Sequence, residues 1–248
     1  RSARGVTGNE LTLAYIPAIT KQHTYTLAAF YPFSTQPMGE LGFLGELNYN
    51  IKKKSTLGGK YGALLTVNYS RVNALNGGNS VLTENESHTP IFFSVIGEDL
   101  YFRDFNIELK KKLSKKAKLT TSYVDMIYNK DVVQGKNVGK DIHARIGIVE
   151  LNYKLKPKHT IRTELQYLSV DKDEKYDEDS GDWMMALVEY TFAPHWFFAV
   201  VDQYNGGYTD YEQIVHEAVH YLNISCGYSS GTNRFELGYG KKREGIFC

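Results

Sequence analysis

The fold class predicted by the sequence is all-β, an antiparallel up-and-down transmembrane β-barrel, and three observations predict it. Apolar and polar residues alternate with a period of two through most of the chain. The alternating segments run to about 10 residues or more, longer than the five or six usual in soluble sheets. Short and long connections take turns, so a meander built from them has tight turns on one rim and long loops on the other, as outer-membrane barrels do. A soluble sandwich or lipocalin-like cup also alternates, but has no reason to segregate its loops by length.

Twelve strands are expected, at 9–16, 23–33, 41–51, 60–74, 98–112, 118–129, 143–155, 159–171, 182–193, 195–204, 213–228 and 233–241. In 41–51, Leu41, Phe43, Leu47, Tyr49 and Ile51 face away from Glu46, Asn48 and Asn50. In 98–112, Phe105, Ile107 and Leu109 oppose Asp104, Asn106, Glu108 and Lys110. Val149, Leu151, Tyr153 and Leu155 oppose Glu150, Asn152 and Lys154, and Ile161, Thr163, Leu165 and Tyr167 oppose Arg162, Glu164 and Gln166. Such alternation places one residue set on each face of a strand. The tight connections are "PAITKQ", "KKKSTLGG", "LSKKA", "KPK", "AP" and "SSGT"; the longer ones include 75–90, 130–142, "KDEKYDEDSG" and "NGGYTDYE".

Composition bounds the function. Lys+Arg at 29 against Asp+Glu at 28 leaves a formal charge of +1, which steers nothing toward nucleic acid. Two cysteines, Cys226 and Cys248, make no disulfide framework. No apolar run reaches the length of a membrane-spanning helix. The start "RSARGVTGNE" carries no export signal, so a signal is already gone or was never there. Tyrosine is abundant, 19 of 248 residues. Tyr49, Tyr61, Tyr153, Phe192, Trp196 and Tyr228 lie beside the short turns, and Tyr31, Phe33, Tyr128, Tyr167, Trp183 and Tyr204 beside the long loops. Two such bands are expected of girdles at the two headgroup layers.

The stretches "LTLAYIPAITKQHTYTLAAFYPFSTQPMGELGF", "LGGKYGALLTVNYSRVN", "EDLYFRDFNIELKKKLSKKAKL", "YNKDVVQGK", "VEYTFAPHWFF" and "LGYGKKREGIFC" resemble an outer-membrane β-barrel family of Bacteroidota, over about residue 9 to the end. The resemblance implies the fold and a bacterial outer-membrane location, and no catalytic residue. It also implies a further loop and final strand beyond Cys248.

Residues 216–220, "HEAVH", spell the zinc-peptidase pattern H-E-x-x-H, which needs a helix to bring its histidines together. On a strand, four residues separate them by about 13 Å, and zinc–nitrogen bonds of about 2 Å cannot span that. Alternation from Ile214 to Tyr228 predicts a strand, so metal and cofactor ligands are expected to be none. The acidic loop 171–182 is read as a solvated loop; calcium is the alternative. Lysines 52–54, 110–112, 115, 116 and 118 end strands in water or meet anionic headgroups. Charged candidates to line the lumen are Glu46, Asp104, Glu108, Asp125, Glu150, Arg162 and Glu164, since charge facing lipid is costly. Cys226 and Cys248 sit at opposite rims and are not expected to pair.

The expected function is a porin-like channel for small polar solutes. The alternative is a non-conducting structural or assembly subunit of an outer-membrane complex, and a more distant one is a soluble β-barrel binding protein. No enzyme activity is expected, because no nucleophile–base pair falls on adjacent inward positions. Expected partners are outer-membrane lipid and lipopolysaccharide, with other envelope proteins through the long loops or an open barrel edge, and no nucleic acid. With tight turns in the periplasm, both ends of a twelve-stranded chain fall on the outer rim, whereas barrel termini ordinarily lie in the periplasm. Residues 1–248 are therefore expected to be one barrel domain truncated at both ends, within a barrel of fourteen strands or more.

Overall fold

Ten strands pair in chain order into one antiparallel, up-and-down sheet. A computed structural model of the chain describes residues 2–4, 11–13, 18–36, 39–75, 96–135, 141–172 and 177–243. A small ribbon, β1 (Ser2–Arg4) with β2 (Leu11–Leu13), precedes the sheet. The sheet begins with β3 (Glu40–Ile51), β4 (Ala63–Leu75), β5 (Ile96–Lys112) and β6 (Ala117–Asn129). After a single-turn helix α1 (Lys130–Gln134) come β7 (Asp141–Lys156), β8 (His159–Val170), β9 (Trp183–Phe192) and β10 (Trp196–Asn205). A hairpin of β11 (Tyr208–Thr209) and β12 (Val215–His216) stands apart, and β13 (Val219–Ser230) and β14 (Asn233–Gly240) complete the sheet. Among the described residues β3 and β14 are its two free edges, and the sheet does not close on itself.

The connections segregate by rim. Those at 52–62, 113–116, 157–158, 193–195 and 231–232 share one rim, and the described residues 130–135, 171–172, 177–182 and 206–218 of the other connections share the opposite one. The expected 75–90 loop lies outside the described residues beyond Leu75.

Directly opposed residues share a face, so the register assigns both faces. Glu108 opposes Thr66 and Ser122, Thr120 opposes Glu150, and Glu150 opposes Glu164; we call theirs the inner face. The outer face carries Leu47, Leu165, Leu237 and Tyr239, which are 65%, 61%, 74% and 88% exposed. Apart from Lys111 at the short-turn rim, its charged residues gather near the long-loop rim, where Asp125 opposes both Phe105 and Arg145. Beside the short turns it carries ring pairs: His159 stacked on Phe192 at 4.6 Å and Trp196 tilted against Tyr228 at 4.8 Å.

Three expected strands are corrected. Residues 23–33 form no strand: they turn through a short 3-10 helix at Ala28–Phe30 and lie across the inner face. The physical reason is local. "LAAF" places apolar residues consecutively, which no single strand face can bury, and Pro32 has no N–H to donate to a ladder. Of 9–16, residues 11–13 pair with 2–4 outside the main sheet, and the rest lies outside the described residues. The third, 213–228, is broken at 217–218. Asp210 accepts the N–H groups of Glu212 and Ile214, both at 2.9 Å, and folds the chain into the β11–β12 hairpin before β13 begins. Among the described residues ten sheet strands therefore stand where twelve were expected.

Candidate functional site

The inner face has two halves of opposite character. Toward the short turns it is polar, with Thr66, Asn68, Asn106, Thr120 and Glu164 all buried. Toward the long loops it is apolar: Val72, Phe102, Val124, Met126, Tyr128, Ile146, Leu168 and Trp183 form a core together with Leu27, Ala28 and Tyr31. An apolar half-face on a single sheet needs a second layer, and residues 18–36 supply it.

That segment crosses the sheet and returns. The Lys21 ammonium donates to Asn106 Oδ1 at 2.5 Å, and His23 Nε2 lies 2.7 Å from Asp104 Oδ2 with both side chains buried. The Leu27 N–H donates to Gln166 Oε1 at 2.8 Å, on β8. Phe30 meets the edge of Trp183 on β9 with ring centroids 5.5 Å apart. Tyr31 then packs on Tyr128 of β6 at 5.5 Å, and Phe33 on Phe102 of β5 at 5.4 Å. Tyr25 reaches into the polar half. Burial first, and then the carboxylates of Glu150, Glu108 and Glu164, push its hydroxyl pKa well up, so it stays a neutral phenol.

A hub at the long-loop rim pins the return. Asp179 accepts the Tyr31 hydroxyl at 3.2 Å and the ammonium of Lys130, the first residue of α1. The Arg243 guanidinium lies 4.1 Å from the Phe30 ring and 4.7 Å from that of Trp183. Burial alone would raise the Asp179 carboxyl, but Lys130, Arg243 and the Tyr31 hydroxyl together hold it below the ordinary carboxylate value.

The expected lumen residues divide. Asp104, Glu108, Glu150, Arg162 and Glu164 lie on the inner face, and Glu46 lies on it at the exposed edge strand. Arg162 donates to Glu150 at 3.1 Å and to Glu164, and Lys110 pairs with Glu108 at 2.6 Å, so most of this charge is compensated locally. Asp125 is a correction: it points to the outer face, 2.6 Å from Arg103 and 3.9 Å from Arg145. Both faces of β6 are apolar here, Val124 and Met126 within and Tyr123 and Ile127 without, which hides the polarity of the strand. Tyr31, Tyr128 and Trp183, expected in an aromatic girdle, are instead buried at 5%, 1% and 3% exposure. Segment 18–36 itself was missed, although Pro32 and the "LAAF" run were its visible signals.

The H-E-x-x-H letters sit on no helix. His216 on β12 stacks on Tyr208 at 4.3 Å and bonds Asp210 at 2.9 Å; His220 on β13 packs on Tyr204 at 4.4 Å and bonds Asp202 at 2.8 Å. Each histidine has its own carboxylate and its own aromatic ring. In the acidic loop, Asp177 accepts the Thr209 N–H at 3.0 Å, Glu178 the His143 N–H at 2.7 Å, and Asp182 the Val170 N–H at 3.1 Å. These carboxylates tie loops together with protein donors. Cys226 is on the outer face between Phe198 and Leu237, and Cys248 lies outside the described residues.

The chain belongs to a family of unknown function, DUF6029, whose model matches residues 1–248. No curated protein and no solved structure matches it.

Proposed function

We propose that this DUF6029 chain forms the wall of a bacterial outer-membrane β-barrel whose interior is closed by its own residues 18–36, and that it acts as a non-conducting structural or assembly subunit of the cell envelope. The wall reading is supported by an outer face that exposes leucine, valine, isoleucine and aromatics on strands from β3 to β14, whereas soluble monomers rarely expose extended apolar patches. Apart from Lys111 at the short-turn rim, its strand charges gather near the long-loop rim, and aromatics line the short-turn rim, an arrangement that keeps charge away from mid-depth. In such a wall the outer face meets lipid and lipopolysaccharide, and the long loops are free to hold other envelope proteins.

The observation that carries the closed interior is the burial of Leu27, at 0% exposure, with its N–H bonded to Gln166 in the middle of the inner face. A solute-conducting lumen would hold water at that position. In planar bilayers the purified protein is expected to give no steady conductance, and a variant carrying Leu27→Ser, Phe30→Ser and Phe33→Ser to give discrete channels. Discrete channels from the unaltered protein at low voltage overturn the closed interior.

One observation favours a second reading, a porin-like channel for small polar solutes. Between segment 18–36 and β10, β13 and β14 lies a cavity of about 1290 Å³, with Gln203, Asn223, Ser225 and Glu236 on its wall. If it runs through to the far rim, polar solutes pass beside the segment. Conductance that survives the triple variant unchanged and falls on Gln203→Trp selects this reading.

A further inference from the structure

At the short-turn rim, three neighbouring elements converge on a recess of about 730 Å³: the β3–β4 connection, the β5–β6 turn and the end of β7. Nine lysines line it and, among the described residues, no aspartate or glutamate does. One of the nine, Lys110, is paired with Glu108 at 2.6 Å. Elsewhere on the inner face most charges have a partner of opposite sign nearby, as Arg162 has in Glu150 and Glu164 and Arg234 in Glu236, so this one-sided lining is a departure from the rest of the sheet.

The walls are built. The Lys54 N–H donates to Gly59 O at 2.6 Å, the Gly59 N–H to Ser55 O at 2.8 Å and the Gly62 N–H to Gly58 O at 2.9 Å, which fixes the first connection. Gly62 takes a φ of +81°, a left-handed conformation that glycine adopts without strain. It leads the chain out of this turn directly after Tyr61, whose ring lies 5.8 Å from the Lys60 ammonium and 5.4 Å from that of Lys112. The Lys154 N–H donates to Lys116 O at 2.8 Å and ties the second turn to β7.

Direction decides what the recess can hold. Lys112 opposes Lys118, Lys118 opposes Asn152, and Lys154 follows Asn152 on the same side. These three lysines therefore share the inner face with Glu108 and Glu150. The outer face at this rim carries the aromatics Tyr153, Phe192 and Trp196 and one recess lysine on a strand, Lys111, which opposes Ala63 and Leu119. A lipid headgroup beside the sheet meets the aromatics and Lys111, whereas a ligand entering the mouth meets the Lys112, Lys118 and Lys154 ammonium groups together. Among the described residues the recess contains no arginine to grip one phosphate with a planar fork. Separate point charges spread over several strands, each about 4.8 Å from the next, match carboxylates spaced along an extended chain.

We propose that this lysine-lined recess is a docking site for an aspartate- and glutamate-rich polypeptide segment of a partner protein on the short-turn side. The proposal does not depend on whether residues 18–36 close the interior. The test titrates the purified protein in zwitterionic detergent with a fluorescein-labelled oligoglutamate, and floats it with vesicles of phosphatidylglycerol in phosphatidylcholine as the competing arm. Oligoglutamate is expected to bind at low salt and to weaken at least about tenfold by about 0.3 M salt, as exposed charge pairs do. A triple variant, Lys112→Gln, Lys118→Gln and Lys154→Gln, is expected to lose at least about tenfold with an unchanged circular-dichroism melt, while Lys242→Glu at the far rim leaves binding intact. If oligoglutamate does not bind at low salt, binds the triple variant as well as the parent, or binds no better than the phosphatidylglycerol vesicles, the proposal fails. Should the glutamine variant not fold, acetylation of the folded parent protein replaces it: binding is expected to fall at least about tenfold on acetylation, and unchanged binding overturns the proposal.

Discussion

Leu27→Ala separates the docking of segment 18–36 from the stability of the sheet. Leu27 is fully buried in a core shared with strand residues, and its N–H is tied to Gln166. The substitution leaves that hydrogen bond and removes side-chain volume, at a cost of about 2–5 kcal/mol for a leucine in a packed core. If the segment undocks as a unit while the ladder stays intact, the whole cost falls on the docking equilibrium. At about 1.4 kcal/mol per tenfold, the undocked population rises roughly 30-fold to several thousandfold. Native-state hydrogen exchange reads this directly, because exchange through local opening scales with the opening equilibrium. The amides of Leu27, Ala29 and Phe30 are expected to exchange faster by that factor, and those of β6–β8 to keep their rates. Equal acceleration in both sets means the segment and the sheet open as one unit. No acceleration at Leu27 means the segment is not held by this contact, and either result refutes the reasoning.

Three further outcomes follow. The depressed carboxyl of Asp179 contributes docking stability that is fully present above the ordinary aspartate value of about 3.9 and lost as pH falls through its lower folded value; acrylamide quenching of Trp183 should rise in that acid range, and Asp179→Asn should show the released level already at neutral pH. Leu165→Arg, on the outer face, should destabilise the protein in bilayers by about 2–4 kcal/mol if it sits at mid-depth, while a cysteine at 165 resists water-soluble maleimide; rapid labelling there would mean the face is wet. Equilibrium dialysis against zinc should find no stoichiometric ion, with His220→Ala indistinguishable from the parent; one equivalent lost in the variant would restore the H-E-x-x-H reading.

Where the sheet was legible in the sequence, the physics was simple. In β8 one face packs and the other is exposed, so Leu165 and Tyr167 separate cleanly from Glu164 and Gln166, and the register agrees. In β6 the same rule misled, because Asp125 was the only charge in a run with apolar residues on both sides. Period two reports that two faces differ; it does not report what each face touches. The runs that defeat it are Tyr123–Tyr128, Ile146–Val149 and Trp183–Val188, each apolar at odd and even positions alike. A strand with both faces apolar needs two apolar environments, and a single sheet with a wet inner face offers one. Those three runs come from different strands but lie at the same end of the sheet, so together they demand a layer there. The segment left to supply it is 25–33, "YTLAAFYPF", apolar yet broken by Pro32 and too irregular to alternate. The demand is readable in the strands and the supply in the segment. What the sequence does not show is their meeting, because Leu27 and Gln166 are 139 residues apart and only the folded register brings them together.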